Sequence, residues 1–468
     1  MRQPWRSLLI KLINNGVLKL VCVDEIHLFV MFGVTFRKSF VNLKESFFKH
    51  LIDRSKHKTN SPHAVHLKVP LLLMTATFNN RLLSLLEKMI GIKVLRENYL
   101  WSGRRKMARR NIRINVAFTL QTTRVIKAVL KSTLSENLNQ KCIVYTNTAS
   151  CLDQLKVDVE HWLDSSDEIK GDALIIQGDM KAEVKFVSAQ MFTKIVDNAE
   201  ELVNTNSVYP RILMATAGSI GAGLDSSDVY SVVRVGFSTS IMEMVQEMGR
   251  CSRGRQNDNN IVTDDFHLLL SCKDFVYLNQ RLYQPQPSLP AVKAIMTAVD
   301  EIQMQRENLL DLLKMIVLKG DCWYKQIEDI LCNPCEPPLL NNDQCTNGCP
   351  SCLDIMSDVI MPIVVDGLSR FLADTFINNA SGPLSPDSLI KKLSQYPEVG
   401  RVVYNRPRSP KAPAGKYVAV TALQLIASGL IELQFADKTY ECTCRLVVTG
   451  ASPAYLDDAN WSHFFICE

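Results

Sequence analysis

The sequence predicts an α/β protein with parallel sheets: two lobes, the first incomplete, then a small helical cysteine-bearing module and a tail of helix and hairpin. Three observations carry this. Apolar strand-like runs alternate with helical patterns through roughly the first 270 residues, the order of parallel α/β units. Most of the runs are continuous rather than alternating, as in strands covered on both faces. Polar or glycine-bearing stretches directly follow several of them, at the sheet edge where open α/β folds bind ligands.

In order, the strand candidates are LKLVCV (18–23), PLLLMTA (70–76), KCIVYTN (141–147), DALIIQ (172–177), RILMATA (211–217), SVVRVGF (231–237) and DFHLLLS (265–271). The polar stretch 52–64 reads as a surface loop. From about 290 to 320 the apolar spacing is helical. Beyond the cysteines, SPDSLIKKL (385–393) opens on a capping serine, proline and aspartate. YVAVTALQLIASG (417–429) is helical up to Gly429, a natural C-cap, and LIELQF and ECTCRLVV flank the turn ADKTY as a hairpin. Expected boundaries are 1–115, 116–290, 291–356 and 357–468. No repeat or low-complexity tract interrupts them.

The 468 residues suffice for two to four domains, and 47% hydrophobic with 22% charged residues is ordinary for a globular chain. A net charge of +5 permits a polyanionic partner without demanding one. No uninterrupted apolar stretch reaches membrane-spanning length, and the first residues, MRQPWRSLLIKLINNG, lack a signal-peptide core and cleavage site. An intracellular protein is expected, nuclear in a eukaryote and cytoplasmic in a bacterium.

Asp24 and Glu25 end the first strand, with His27 two residues on. Nucleotide hydrolysis uses one carboxylate to hold Mg²⁺ and a neighbouring polar group to position the attacking water; a solvated turn is the plainer alternative. Thr75 and Thr77 end the next strand, placing hydroxyls near the same edge. RILMATAGSIGAGLD sets Thr216, Gly221, Gly223 and Asp225 after a third, where glycines let backbone approach a phosphate. QEMGRCSRGR then supplies Gln246, Arg250 and Arg253, the arginines expected on one helix face within reach of a γ-phosphate.

Those segments, in that order, resemble superfamily 2 helicases, specifically the RecQ family of ATP-dependent DNA helicases. DEIH is similar to motif II, TAT to motif III, KCIVYTNT to motif IV, ATAGSIGAGLD to motif V and QEMGRCSRGR to motif VI. RecQ proteins carry an aromatic-rich W-G-H-D-F-R loop just after motif II; here Phe32-Gly33-Val34-Thr35-Phe36-Arg37 stands at that offset. Trp is replaced by Phe32, His by Val34 and Asp by Thr35, which implies weaker or differently wired coupling between DNA and ATP. The resemblance implies two RecA-like lobes and ATP with Mg²⁺ at Asp24, Glu25, His27, Gln246, Arg250, Arg253, Gly221, Gly223 and Asp225. It implies single-stranded and duplex DNA at Phe32, Phe36, Arg37, Thr216, Arg110 and Arg113. Base stacking on such rings is worth about 1–3 kcal/mol per base; core packing of Phe29, Phe32 and Phe36 is the alternative. The RecQ-type G-x-x-x-x-G-K-[ST] loop occurs nowhere in the 468 residues. A front-truncated chain is therefore expected, inactive by itself and carrying an uncovered strand edge.

Six of the fourteen cysteines lie between 322 and 352, which favours a metal site over a disulfide framework. Cys345, Cys349 and Cys352 form a C-x3-C-x2-C knuckle that one upstream cysteine would close into a tetrahedron. The RecQ pattern implies Cys322, with structural zinc; Cys332 and Cys335 compete by their C-x2-C spacing, and a disulfide knot is the further alternative. The tail resembles a winged-helix domain, and Arg401, Arg406, Arg408, Lys411 and Lys416 before its second helix suit duplex phosphates or a solvated loop. Two other functions fit the same chain: a non-catalytic, zinc-containing DNA-binding protein and a DExH RNA helicase.

Overall fold

The computed structural model describes residues 3–31, 47–51, 67–77, 79–94, 109–119, 122–135, 139–165, 172–193, 210–220, 224, 226–251, 264–283, 292–318, 322–331, 349–352, 386–393, 412–438 and 441–448. The chain divides into two units: residues 1–107, 284–308 and 327–341, and residues 108–283, 309–326 and 342–468.

The first unit holds α1 (Gln3–Asn14), β1 (Val21–Val23), α2 (His27–Met31), α3 (Lys49–Leu51), β2 (Leu71–Leu73) and α4 (Asn80–Ile90). β1 and β2 pair in parallel, Val21 opposite Leu71 and Val23 opposite Leu73. Both are shorter than their apolar runs, and Leu20 and Met74 at their margins are exposed. α4 forms where its ends are satisfied. The Asn79 side chain accepts from the Leu82 N–H at 2.9 Å, and Gly91, at φ 73°, returns its N–H to the Glu87 carbonyl. Its apolar face buries Leu82, Leu85, Leu86, Met89 and Ile90. Phe29 packs edge-on against Phe48, with ring centroids 5.7 Å apart. It is thus a core residue, while Phe32, Phe36 and Arg37 lie outside the described residues.

The second unit is built on β3 (Ile112–Phe118), α5 (Thr122–Ser135), β4 (Lys141–Thr146), α6 (Ala149–Asp164), β5 (Asp172–Ile176), α7 (Ala182–Thr193), β6 (Pro210–Thr216), β7 (Val229–Val235), α8 (Ile241–Met248), β8 (Asp264–Leu270) and α9 (Cys272–Tyr283). Its six strands run parallel in the order β3-β8-β7-β4-β6-β5. α5 and α6 cover one face: Ile126, Leu130, Leu152, Leu155 and Val159 meet Cys142, Val144, Ile212, Met214 and Val233. Each such burial contributes roughly 1.5–3 kcal/mol. The five second-lobe runs expected from sequence all form strands. β3 was not among the candidates, and the expected boundary at 115 falls inside it, since the second unit starts at Ala108.

α10 (Val292–Val317) and α11 (Trp323–Ile330) follow, then α12 (Pro386–Leu393), α13 (Ala412–Ala427), β9 (Ile431–Lys438) and β10 (Glu441–Val448). α13 begins five residues before the expected 417, because Pro413 falls in the first turn, where its missing N–H costs nothing. Lys416 therefore belongs to the helix rather than to the preceding basic loop. Gly429 caps its end at φ 73°. β9 and β10 pair antiparallel from Ile431–Val448 to Lys438–Glu441, so Ala436, Asp437 and Lys438 of the expected turn are strand. α13 and the hairpin pack on α9, and the buried Gln424 amide donates to the Val317 carbonyl at 3.1 Å. Among the described residues no helix is long and apolar enough to cross a membrane.

Candidate functional site

In the first unit the parallel pairing of β1 and β2 brings their carboxyl ends together. Beyond the ladder, Met74 N–H reaches the Val23 carbonyl at 2.8 Å and Ile26 N–H the Met74 carbonyl at 3.0 Å. Asp24 is exposed there, and its Oδ1 accepts the Glu25 N–H at 2.8 Å. Glu25 has φ 51°, the one non-glycine with positive φ among the described residues, a conformation that needs support from its surroundings. His27 is 1% exposed. Its Nδ1 lies 2.7 Å from Thr75 Oγ1 and 3.3 Å from Glu25 Oε2. Thr75 gives its one hydroxyl proton to the Thr77 carbonyl at 2.9 Å, so it must accept from His27, and Nδ1 carries the hydrogen. Burial drives the His27 pKa down to about 4 against the opposing pull of Asp24. The imidazole is neutral at pH 7, so its 3.3 Å approach to Glu25 Oε2 is not an ion pair. Asp24, Glu25, His27, Thr75 and Thr77 thus lie together at this edge.

In the second unit Thr216 ends β6 at the carboxyl edge. Ser219 Oγ reaches the Thr216 carbonyl at 2.6 Å and the Ile176 carbonyl at 2.8 Å, closing the turn through Gly218 at φ 71°. Gly221, Gly223 and Asp225 lie outside the described residues. α8 starts on a reciprocal cap: Ser240 Oγ accepts the Glu243 N–H at 3.1 Å, and Glu243 accepts the Thr239 N–H at 2.7 Å. It carries Gln246 half-buried, but ends at Met248, where Gly249, Arg250 and Cys251 tighten into successive turns. Arg250 therefore lies past the helix rather than on its face, a correction to the expected pairing with Arg253, which is outside the described residues. Arg250 Nη1 donates to the Leu224 carbonyl at 3.0 Å, and its guanidinium bonds the buried Tyr145 hydroxyl.

The expected nucleic-acid residues do not share one edge. Thr216 closes the carboxyl end of its strand, whereas Arg110 precedes β3 and Arg113 is at the amino end of this parallel strand. Arg113 forks onto Asp265 at 2.6 and 3.0 Å, and Asn115 adds a third bond to the same carboxylate at 3.0 Å. Burial opposes ionisation of Asp265, but these donors hold its pKa below the usual range.

A buried network was not singled out from sequence. Arg234, within β7, meets Glu247 of α8 at 3.0 Å, with side chains 0% and 6% exposed. Ser238 Oγ donates to the other Glu247 oxygen at 3.0 Å, and Arg234 also donates to the Phe237 carbonyl at 2.8 Å and to Asn147. Burial pushes the Glu247 pKa up, to about 8, against the pull of Arg234. Gly236, at φ 83°, permits this closeness: a Cβ there would stand 2.7 Å from Asn147 Nδ2. An arginine inside a doubly covered strand requires a buried acid, but nothing in the sequence singles out Glu247 as that acid.

Cys322, Cys349 and Cys352 converge, their sulfurs all within 4.8 Å of one another. Cys322 and Cys349 are 3.8 Å apart, far beyond a disulfide bond, and all three are free thiols. A Zn–S bond of about 2.3 Å gives a tetrahedral S···S edge of about 3.8 Å, so the donor set fits a thiolate metal. Cys349 Sγ accepts the Trp323 and Cys352 N–H groups, each at 3.4 Å. Cys345, Cys332 and Cys335 lie outside the described residues, so the fourth ligand stays open.

Comparison with known proteins adds a class. Residues 124–255 match the helicase conserved C-terminal domain, a stretch that begins within α5 and includes α8 and Arg250. Among solved structures, Mss116p (NTE and C-tail double deletion) bound to ssRNA and AMP-PNP is similar at 13% identity and TM-score 0.38, over 66% of this chain and 57% of that one. S. cerevisiae Dbp5 bound to RNA and ADP BeF3 is similar at 12% identity and TM-score 0.37, over 65% of this chain and 68% of that one. E. coli DEAD-box protein SrmB bound to RraA is similar at 17% and 0.25, over 35% and 79%. No curated protein matches the chain.

Proposed function

We propose that this chain is the core of a RecQ-type, ATP-dependent 3′-to-5′ DNA helicase serving recombination and repair inside the cell, and that these 468 residues alone do not hydrolyse ATP. The observation that carries the reading is the His27–Thr75 bond. It joins the D-E-I-H and T-A-T segments on one sheet edge, in a chain whose residues 124–255 match the helicase C-terminal domain. Asp24 and Glu25 would hold Mg²⁺ and position water, being hard oxygen donors at a strand edge; Gln246, Arg250 and Arg253 would meet phosphate charge. The Phe32–Arg37 aromatic loop is the DNA-sensing element. Zinc at Cys322, Cys349, Cys352 and Cys345 would be structural. The α12, α13 and β9–β10 tail would serve as a winged-helix-like grip on duplex DNA.

Fluorescence anisotropy with single-stranded DNA and RNA of one sequence, with and without ATP, tests the reading. Tighter DNA binding supports it, and tighter RNA binding makes the chain a DExH RNA helicase. DNA affinity indifferent to ATP, also after an in-frame G-x-x-x-x-G-K-[ST] segment is joined to the front, leaves a binding protein. Robust DNA-stimulated hydrolysis by the present chain would overturn its proposed inactivity.

A further inference from the structure

The cysteine cluster touches more than its own helix. Trp323, whose N–H is held by Cys349 sulfur at 3.4 Å, and Tyr324 are both fully buried. The Tyr324 hydroxyl donates to the carbonyl of Ile112, the first residue of β3. β3 is the outer strand of the second unit's sheet, paired only with β8 among the described residues, and an outer strand presents carbonyls that the ladder does not use. A phenol seated on its first carbonyl pins that edge. Immediately before it, Ile112 N–H closes on the Arg109 carbonyl at 3.0 Å, and the Arg109 guanidinium donates to the Cys251 carbonyl at 2.8 Å. Cys251 follows Arg250.

An unbroken series of bonds therefore runs from the cluster to the turn that carries Arg250. It passes from Cys349 sulfur to Trp323, then through Tyr324, Ile112 and Arg109 to Cys251. Every member lies in the second unit. We propose that Tyr324 is a positioning residue through which the metal-loaded cysteine cluster fixes the first turn of β3 and, beyond it, the Arg250 turn. Loss of the metal loosens both. The inference rests on the proposed metal site, and its test separates the two.

Metal content of the purified chain is measured first, and amide hydrogen exchange then follows three states: untreated, chelator-treated and Tyr324→Phe. A lost buried hydrogen bond of ordinary strength corresponds to about tenfold faster opening. Chelation is expected to raise exchange about that much at 322–331, 109–116 and 248–251, while β6 stays protected. Tyr324→Phe is expected to keep its metal and the protection of 349–352, to speed 109–116 and 248–251, and to make those segments insensitive to chelator. Arg109→Gln, a milder change, should speed 248–251 alone. Acceleration confined to 322–331 and 349–352 on chelation, or an unchanged β3 turn in Tyr324→Phe, overturns the coupling. A chain without bound metal sinks the metal site instead, and the Tyr324→Phe and Arg109→Gln arms still decide whether the bonded series transmits.

Discussion

His27 shows how much one buried imidazole can report. The unfolded state binds its proton near pH 6.5, while burial lowers the folded-state pKa to about 4. Between those values the unfolded chain holds the extra proton, so stability is full above pH 6.5 and declines as pH falls toward 4. The loss amounts to on the order of 3 kcal/mol across that window. Urea denaturation at pH 7, 5.5 and 4.5 should show the decline in the parent and a flatter profile in His27→Gln. His267, lowered to about 4 mainly by burial, contributes to both and cancels in the difference; parallel profiles would refute the assignment. The Arg234–Glu247 pair behaves differently. Arg234→Leu removes the charged donor of a carboxyl whose pKa burial has already raised to about 8, so Glu247 protonates and keeps Ser238, and unfolding free energy should drop by about 1–3 kcal/mol for the lost charge-assisted bond. Glu247→Gln, which keeps hydrogen-bonding capacity, should lose less. A drop below about 1 kcal/mol in Arg234→Leu would mean that the carboxylate finds water or another cation.

At the scale of elements, legibility followed burial. KCIVYT and RILMAT are buried almost throughout and carry unbroken apolar centres, CIV and ILMA, and a strand of that kind is visible without neighbours. β3 was missed because it is an edge: IRINVAF alternates, with Ile112, Ile114, Val116 and Phe118 buried and Arg113 exposed, the pattern of a half-covered strand. The α8 boundary failed for a related reason. Arg250 and Arg253 are three apart in sequence, but Gly249 starts a run of tightened turns that ends the helix first. Asp24, His27 and Thr75 were legible since their spacing after apolar runs places them at strand ends. Arg234 and Glu247 were not, because their meeting depends on how α8 lies over the sheet. The alternation in β3 has a measurable consequence. Ile114→Ala should cost about 2–5 kcal/mol, as for a fully buried isoleucine, while Arg113→Ala should cost under about 1 kcal/mol despite its two bonds to Asp265, because its side chain is 49% exposed. Thermal denaturation of the two variants decides it, and a reversed order would mean that β3 is seated one residue out of register.

For the whole molecule, a net charge of +5 over 468 residues is too thin to hold a polyanion by itself, so affinity must come from local basic runs. Two stand out, GRRKMARRNIR (103–113) and the stretch 401–416 with Arg401, Arg406, Arg408, Lys411 and Lys416. Each phosphate neutralised adds about 0.7 to 0.9 to the slope of log affinity against log salt, depending on whether the strand is single or double. Arg113 is already forked onto Asp265, so its charge is compensated before any nucleic acid arrives. Arg113→Ala should leave the salt slope for duplex DNA, measured from 50 to 200 mM, within about half a unit of the parent. Arg408→Ala and Lys411→Ala together should lower it by about 1.5 to 2 if the stretch before α13 meets duplex phosphates. If the tail grips duplex as proposed, single-stranded DNA should be indifferent to that pair. A slope that falls for Arg113→Ala and holds for the tail pair would move the phosphate contacts to the amino end of β3, away from the tail.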